Sequence, residues 1–367
     1  MGKNFKKIII SAINLTEAEG GALAVLKECL AYMSENLAND YEIIALVNNK
    51  SLFDYGNITY YEFPASKKSW VIRLYYEYFY FLKLSERLKP YLWFSLHDIT
   101  PNVRAQIKAV YCHNPSPFYK LSFSEAVLDP KFALFNLFYK YLYRINLKKN
   151  TYVIVQQEWI KEKFKKSFGI NNIIVAHPSV NYPIKTANIP IGGTDKKTFF
   201  YPAFPRIFKK FEAVCEASRM LVSRGIEDFS LYLTIDGTEN SYSRSLMRKF
   251  GHLRQVKFIG RLSREEVEEY YSRVDCLIFP SKLETWGMPI TEFKRYSKPI
   301  ILADLEYAHE TLGSYDKAIF FNPDNPRQIS EVMECLIKNK LVFTPVTAKK
   351  TNELLVRDWS QLFATLL

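Results

Sequence analysis

Hydrophobic positions along the chain fall into two patterns: short unbroken apolar runs, and longer stretches with apolar residues three or four apart. Residues 6–14 are a run with Ile8, Ile9 and Ile10 at its centre, the pattern of a strand covered on both faces. Residues 22–36 carry Leu23, Leu26, Leu30 and Met33 at helical spacing, and residues 41–47 are again a run. Strand, turn, helix and strand in that order begin a parallel α/β sheet. Further runs at 58–63, 92–96, 110–114, 151–156 and 173–175 predict strands. The spacing predicts helices over 71–89, 132–147 and 158–168. Pro183, Pro190, Gly192 and Gly193 then punctuate residues 181–197, a composition typical of an interdomain linker. Beyond it the alternation restarts. Strands are predicted at 198–201, 230–235, 256–259, 276–279, 299–303 and 319–321, and helices at 209–224, 264–272, 289–295 and 326–338.

Two α/β domains with Rossmann-like parallel sheets are therefore expected, facing a central cleft. The expected first domain is 1–182, the linker 183–197 and the second domain 198–345. In open parallel sheets, ligands bind beyond the carboxyl ends of the strands. Residues just after each strand are thus the functional candidates.

The length of 367 residues suits two domains, and 48% apolar residues suffice for two cores. A net charge of +12 favours an anionic partner: a nucleic acid, an anionic membrane surface or a phosphorylated substrate. Lys and Arg are spread along the chain rather than gathered into a stripe, so no nucleic acid is expected. Five cysteines, odd in number and without a Cys-x-x-Cys pair, oppose a disulfide framework or a zinc site and fit a reducing cytosol. No window of ~18 uncharged apolar residues occurs, so no transmembrane helix is expected.

The densest chemistry lies in Phe279-Pro280-Ser281-Lys282-Leu283-Glu284-Thr285-Trp286-Gly287-Met288-Pro289-Ile290-Thr291-Glu292. A strand ends at Pro280, a loop holds Glu284, and Pro289 suits the first turn of a helix. N–H groups of residues 286–288 at that helix start suit a phosphate or a sugar hydroxyl. Glu292, one turn in, is placed to accept hydrogen bonds from vicinal hydroxyls. A glutamate in a first helical turn is also favoured by the helix dipole alone.

The whole segment resembles the signature of retaining glycosyltransferase family 4, P-S-x-x-E-x-x-G-x-P-x-x-E, at every fixed position. The resemblance continues in register. Lys298-Pro299-Ile300-Ile301 is similar to the family's G-x-P-V-V, with Ser297 in place of the usual glycine. Val256 to Arg261 resembles the strand and glycine turn beneath the nucleotide base, and Asp236-Gly237 its G-x-G. Lys209-Lys210-Phe211-Glu212 resembles the family's lysine at a helix start. In the first half, Glu19-Gly20-Gly21 looks like the glycine turn after strand one. His113 resembles the histidine that many members keep near the donor sugar.

The resemblance implies the GT-B fold, with residues 346–367 packing back on the first domain. It also implies transfer of a sugar from a nucleotide-diphosphate sugar to a glycan or lipid-linked acceptor. Anomeric configuration would be retained, and no metal or other cofactor would be needed. By the same resemblance Glu292 holds the ribose hydroxyls, Glu284 contacts the transferred sugar and His113 lies beside it. Thr285, Trp286, Gly287 and Met288 support sugar and phosphate. Lys209 neutralises the diphosphate, the turn Gly260-Arg261-Leu262 meets the base, and Gly20 and Gly21 admit close approach of a substrate. One departure stands out. The family's Gly-Arg ahead of the lysine is here Pro202-Ala203, which leaves Arg206 or Lys210 as the second cation for the phosphates. A GT-B nucleotide-sugar epimerase shares the architecture but not this signature, and a basic nucleic-acid-binding protein is the non-enzyme alternative.

His97-Asp98, after a strand, is a further candidate for acceptor contact. Two stretches mix aromatic and basic residues: Tyr75 to Phe81 beside Arg73, Lys83 and Arg87, and Phe132 to Tyr143 beside Lys131, Lys140, Arg144, Lys148 and Lys149. Such mixtures occur in interfacial helices and equally in a core helix with a basic outer face. The first reading predicts a cytoplasmic protein in peripheral contact with the membrane.

Overall fold

The computed structural model describes residues 5–16, 20–178, 184, 191, 196–343 and 355–367. Most of the expected linker, including Pro183, Pro190, Gly192 and Gly193, lies outside the described residues, as do Glu19 and residues 346–354. The chain divides into two compact units. The first comprises residues 1–119, 134–179 and 351–367, the second residues 120–133 and 180–350. Residues 120–133, within the first half of the sequence, thus group with the second unit.

The first unit is built on β1 (Lys6–Ala12), β2 (Tyr41–Val47), β3 (Thr59–Glu62), β4 (Leu92–Ser95), β5 (Ile107–Cys112), β6 (Tyr152–Val155) and β7 (Ile173–Ala176). All pair in parallel, in the order β7-β6-β5-β4-β1-β2-β3, and a short strand Leu355–Val356 adds to β7. The isoleucine run is the centre of this sheet, with Ile8 in register with Ile43 on one side and Leu92 on the other. Successive side chains of a strand point to opposite faces. Ile8 and Ile10 accordingly join Leu26, Leu30 and Met33 in one core, while Ile9 joins Phe81, Leu84 and Trp93 in another. The helix Trp359–Leu366 returns Leu362, Phe363 and Leu366 to the first of these cores.

The second unit holds β8 (Lys197–Tyr201), β9 (Phe229–Leu233), β10 (Val256–Phe258), β11 (Cys276–Phe279), β12 (Ile300–Ala303) and β13 (Ala318–Phe321). They too are all parallel, in the order β10-β9-β8-β11-β12-β13. The order reverses direction between β8 and β11, and the carboxyl ends of those two neighbours mark the point where such sheets bind ligands.

Three helices go beyond the hydrophobic pattern: Phe123–Leu128, Ser241–Phe250 and Glu306–Leu312. The first and last are short. The middle one, SYSRSLMRKF, has too few apolar residues to show a period. Its start is set by a capping box between Asn240 and Ser243. Lys209, expected at a helix start, lies instead in a single 3₁₀ turn, Ile207–Lys209. Lys210 then turns the chain through the left-handed region (φ 53°) before the helix Phe211–Ser223 begins. Residues 70–88 are helical as expected, with one five-residue π turn at Tyr76–Tyr80.

Candidate functional site

The segment after β11 is held by bonds to two surrounding elements. The Lys282 N–H donates to the Phe208 carbonyl (2.7 Å), fastening the loop to the 3₁₀ turn after β8. The Tyr307 hydroxyl donates to the Ser281 carbonyl (2.6 Å), and the Thr311 hydroxyl bonds the Trp286 carbonyl. Trp286 is itself buried, and its indole N–H donates to Thr291 Oγ1 (2.8 Å). Gly287 caps the helix Met288–Lys294 at φ 84°, where a Cβ would stand 3.1 Å from Ile290 Cδ1. Only glycine fits this turn without strain. That is the physical reason for a glycine between Glu284 and Glu292. Thr285 and Met288 are half-buried on either side of this turn.

Fastening loop to turn brings Lys209 against Glu284. The ammonium bonds Glu284 Oε1 directly, and both side chains are largely buried. The Tyr201 hydroxyl donates to the Lys209 carbonyl (2.8 Å), anchoring the turn to the end of β8. Burial, with the Glu284 carboxylate nearby, pushes the phenols of Tyr201 and Tyr307 up, so both remain neutral donors.

Glu292 is buried and doubly held. Arg264 Nη1 meets Oε1 at 2.7 Å, and the Tyr271 hydroxyl donates to Oε2 at 2.9 Å. Burial and the Glu292 charge raise the Tyr271 phenol, which keeps its proton. The array continues to Glu268, which bonds Arg264 Nη2 (2.5 Å) and the Tyr296 hydroxyl (2.6 Å). Sequence reasoning treats Arg264 only as a helix start. The Ser263-x-x-Glu266 capping box that begins this helix is what places Arg264 at its first position.

The turn Gly260-Arg261-Leu262 follows β10. Gly260 adopts φ 76°, and a Cβ there would press on Asp236 Oδ2 at 3.2 Å. Arg261 is exposed and Leu262 half-buried. The two candidates for second cation differ. Lys210 is tied to Glu212 (3.0 Å) and Asp324 (3.3 Å). Arg206 is exposed, its guanidinium 5.3 Å from the Phe204 ring, and it makes no ion pair among the described residues.

In the first unit, His113 follows β5 with its ring stacked on Tyr111 (centroids 4.5 Å apart), and burial lowers its pKa. Its N–H donates to Asp98 Oδ1 (2.5 Å). Asp98 also accepts from the Asn114 N–H (3.0 Å) and from the hydroxyls of Tyr139 (2.9 Å) and Tyr143 (3.1 Å). Asp98 is therefore an anchor for the loop carrying His113. His97 is wholly buried, its Nε2 2.7 Å from Glu77 Oε1. It is a core residue rather than an acceptor contact, because its side chain turns under the helix at residues 70–88. Gly20 and Gly21 open the helix Gly20–Asn36. Among the described residues, no heavy atom beyond its chain neighbours and its own helix backbone lies within 4 Å of where a Gly21 Cβ would be, so packing among them does not demand that glycine.

A surface cavity of about 510 Å³, bordered by Lys197, Asp275 and Pro299, lies at the amino ends of β8, β11 and β12. That is the opposite end of the sheet from Lys209, Glu284 and Glu292, and the cavity holds none of this chemistry.

The family described as Glycosyl transferases group 1 matches residues 184–353. The chain thus carries a stretch similar to the group 1 glycosyltransferases. It is similar to the O-antigen chain mannosyltransferase RfbU of Salmonella typhimurium, with 23% identity over 262 residues, 69% of this chain and 68% of that one. Its fold is similar to sucrose-phosphate synthase of Thermosynechococcus elongatus, with a TM-score of 0.62 and 12% identity over 91% of this chain and 90% of that one. The Anabaena protein Alr3699/HepE in complex with UDP-glucose aligns with a TM-score of 0.60 and 14% identity over 91% of this chain and 90% of that one. The fold is thus GT-B, with two parallel-sheet α/β domains.

Proposed function

We propose that this protein is a glycosyltransferase that takes a sugar from a nucleotide-diphosphate sugar and passes it to a glycan or lipid-linked acceptor. Configuration at the anomeric carbon is retained and no metal is used. The pathway is surface polysaccharide or glycolipid synthesis, at the cytoplasmic face of the membrane. The observation that carries this reading is the convergence of Lys209 with Glu284, and of Arg264 and Tyr271 with Glu292, on the carboxyl ends of β8 and β11 and the helix that follows β11. The complex of the Anabaena protein with UDP-glucose and the likeness to an O-antigen mannosyltransferase support it.

In this reading Glu292 receives the ribose hydroxyls. A carboxylate offers about four lone-pair positions, and Arg264 and Tyr271 use two, leaving acceptors for a diol. Lys209 turns from Glu284 to the diphosphate, which frees Glu284 for the transferred sugar. Arg206, not Lys210, is the second cation, because Lys210 is already held by two carboxylates. Thr285 and the N–H groups of Trp286, Gly287 and Met288 face sugar and phosphate, and Gly260-Arg261-Leu262 faces the base. His113, Gly20 and Gly21 belong to the first unit. The two cations stabilise charge on the leaving diphosphate as its bond to the anomeric carbon breaks, the part a divalent ion plays elsewhere.

A thermal-shift screen against UDP, GDP, ADP, CMP and dTDP, with a chelator present, tests the donor site. Native-state binding raises the melting temperature. One diphosphate is expected to raise it, and Glu292→Ala or Lys209→Ala to abolish the rise. No rise with any nucleotide at millimolar concentration would reject the reading.

A further inference from the structure

The helix Pro130–Arg144 packs one face into the core of the first unit and leaves a second apolar face exposed. Its inner face is anchored by polar bonds: the hydroxyls of buried Tyr139 and Tyr143 both reach Asp98 (2.9 and 3.1 Å). Asn136 adds a bond to the Tyr119 carbonyl (3.1 Å). Rotation about its own axis is thereby blocked. Its outer face is apolar. Leu134, Leu137, Phe138 and Tyr141 are 60%, 60%, 54% and 58% exposed. At about 100° per residue they fall within an arc of about 100°. Trp70, 47% exposed, packs beside the helix against Phe135 and Tyr139 (centroids 6.5 Å) and brings with it the exposed Val71 of its own helix.

Basic residues rim this arc on both sides. On the helical wheel Lys131 stands beyond one edge, and Lys140 and Arg144 beyond the other. Lys148 and Lys149 follow directly and are exposed. No acidic residue occurs between Asp129 and Glu158. An apolar strip of this size, exposed and rimmed by charge of one sign, marks a docking surface. A second copy of the chain would bring the same basic rim against itself, and like charges oppose such a pairing.

We propose that the outer face of this helix, with Trp70 beside it, seats the protein on an anionic lipid surface. The apolar side chains enter the boundary between headgroups and acyl chains, while Lys131, Lys140, Arg144, Lys148 and Lys149 meet the anionic headgroups. Each such cation contributes roughly fivefold to partition. The inference deepens the reading of the enzyme as one with a lipid-linked acceptor: it names the surface from which that acceptor is met.

The test is sedimentation of the full chain with phosphatidylcholine vesicles, alone or mixed with phosphatidylglycerol. The protein is expected to pellet only with the anionic mixture, and to be released by high salt. Leu137→Ser/Phe138→Ser and Lys140→Gln/Arg144→Gln are each expected to lower partition at least tenfold. Their circular dichroism, melting temperature and nucleotide-induced thermal shift are expected to remain as in the parent. Equal recovery in the supernatant with and without anionic vesicles overturns the proposal, as does binding that survives in both double variants. A concentration-dependent dimer that Leu137→Ser/Phe138→Ser abolishes, without vesicle binding by the parent, assigns the face to self-association and also overturns it. The nucleotide shift is measured on the same samples. A shift without vesicle binding removes the docking face alone, and vesicle binding without a shift removes the donor site alone.

Discussion

At the scale of single residues, the proposed donor site depends on pairings more than on the residues of the signature taken singly. Glu292 is buried as a carboxylate and survives there because Arg264 and Tyr271 both bond it; a buried charge without a partner is costly. Arg264→Met would leave Glu292, and Glu268 behind it, without their shared cation. The Arg264 side chain is about one-third exposed, so solvent would soften the loss. The expected cost is roughly 1–3 kcal/mol. Urea denaturation of Arg264→Met, Glu292→Gln and the double variant checks this: the double variant should be less destabilised than the sum of the singles. Strict additivity would mean that the pair carries no coupling.

At the scale of elements, the approach to β12 shows a departure from the family pattern turned into geometry. Ser297 stands where the resembling sequences have glycine, and it adopts φ 54°, in the left-handed region that disfavours a Cβ. The turn is held regardless. Its neighbour Lys298 donates to the carbonyls of Tyr271 (3.1 Å), Ser272 (2.7 Å) and Val274 (2.7 Å), which ties the end of the helix Arg264–Arg273 to the start of β12. Ser297→Gly should relieve the strain and raise stability by roughly 0.5–1 kcal/mol, the relief being partly offset by the greater freedom of glycine in the unfolded chain. The midpoint of a urea transition measures it, and a fall in that midpoint would show that the serine side chain contributes something the backbone angle does not reveal. Elements were legible to the extent that they had a hydrophobic period. Phe123–Leu128 had another readable sign, the Ser122-x-x-Glu125 capping box that the structure contains. Glu306–Leu312 had none: its seven residues are too few for a period, and it is defined by Tyr307 and Thr311 reaching back to the loop after β11.

At the scale of the whole molecule, the last residues complete the core of the first unit. Phe363 is buried, stacks on Tyr32 (centroids 5.7 Å) and meets Phe94 edge-on (6.2 Å), while the Tyr91 hydroxyl donates to the Leu367 carbonyl (3.0 Å). Phe363→Ala is expected to cost about 3–5 kcal/mol, as for other large aromatic deletions. Thermal unfolding of the variant should show it, and an unchanged melting profile would mean that the first unit holds without this helix. The order of apolar runs and helical periods by itself determined that the chain forms parallel α/β sheets, because a strand covered on both faces must be continuously apolar and a helix covering it must be apolar on one side. The segment from Pro280 to Glu292 was legible as a strand end, a glycine turn and a helix start, and it carried the resemblance to the glycosyltransferase signature. Which cation each carboxylate holds was decided only by the tertiary structure. Lys209 and Glu284 are 75 residues apart, and Tyr271 and Glu292 are 21 apart. Pairing of that kind follows from strand order and loop fastening, not from local sequence. The same holds for the aromatic helix at Pro130–Arg144. Apolar residues occur on more than one side of it, and the packing of Tyr139 and Tyr143 in the core, with their bonds to Asp98, decides which side is turned out to solvent.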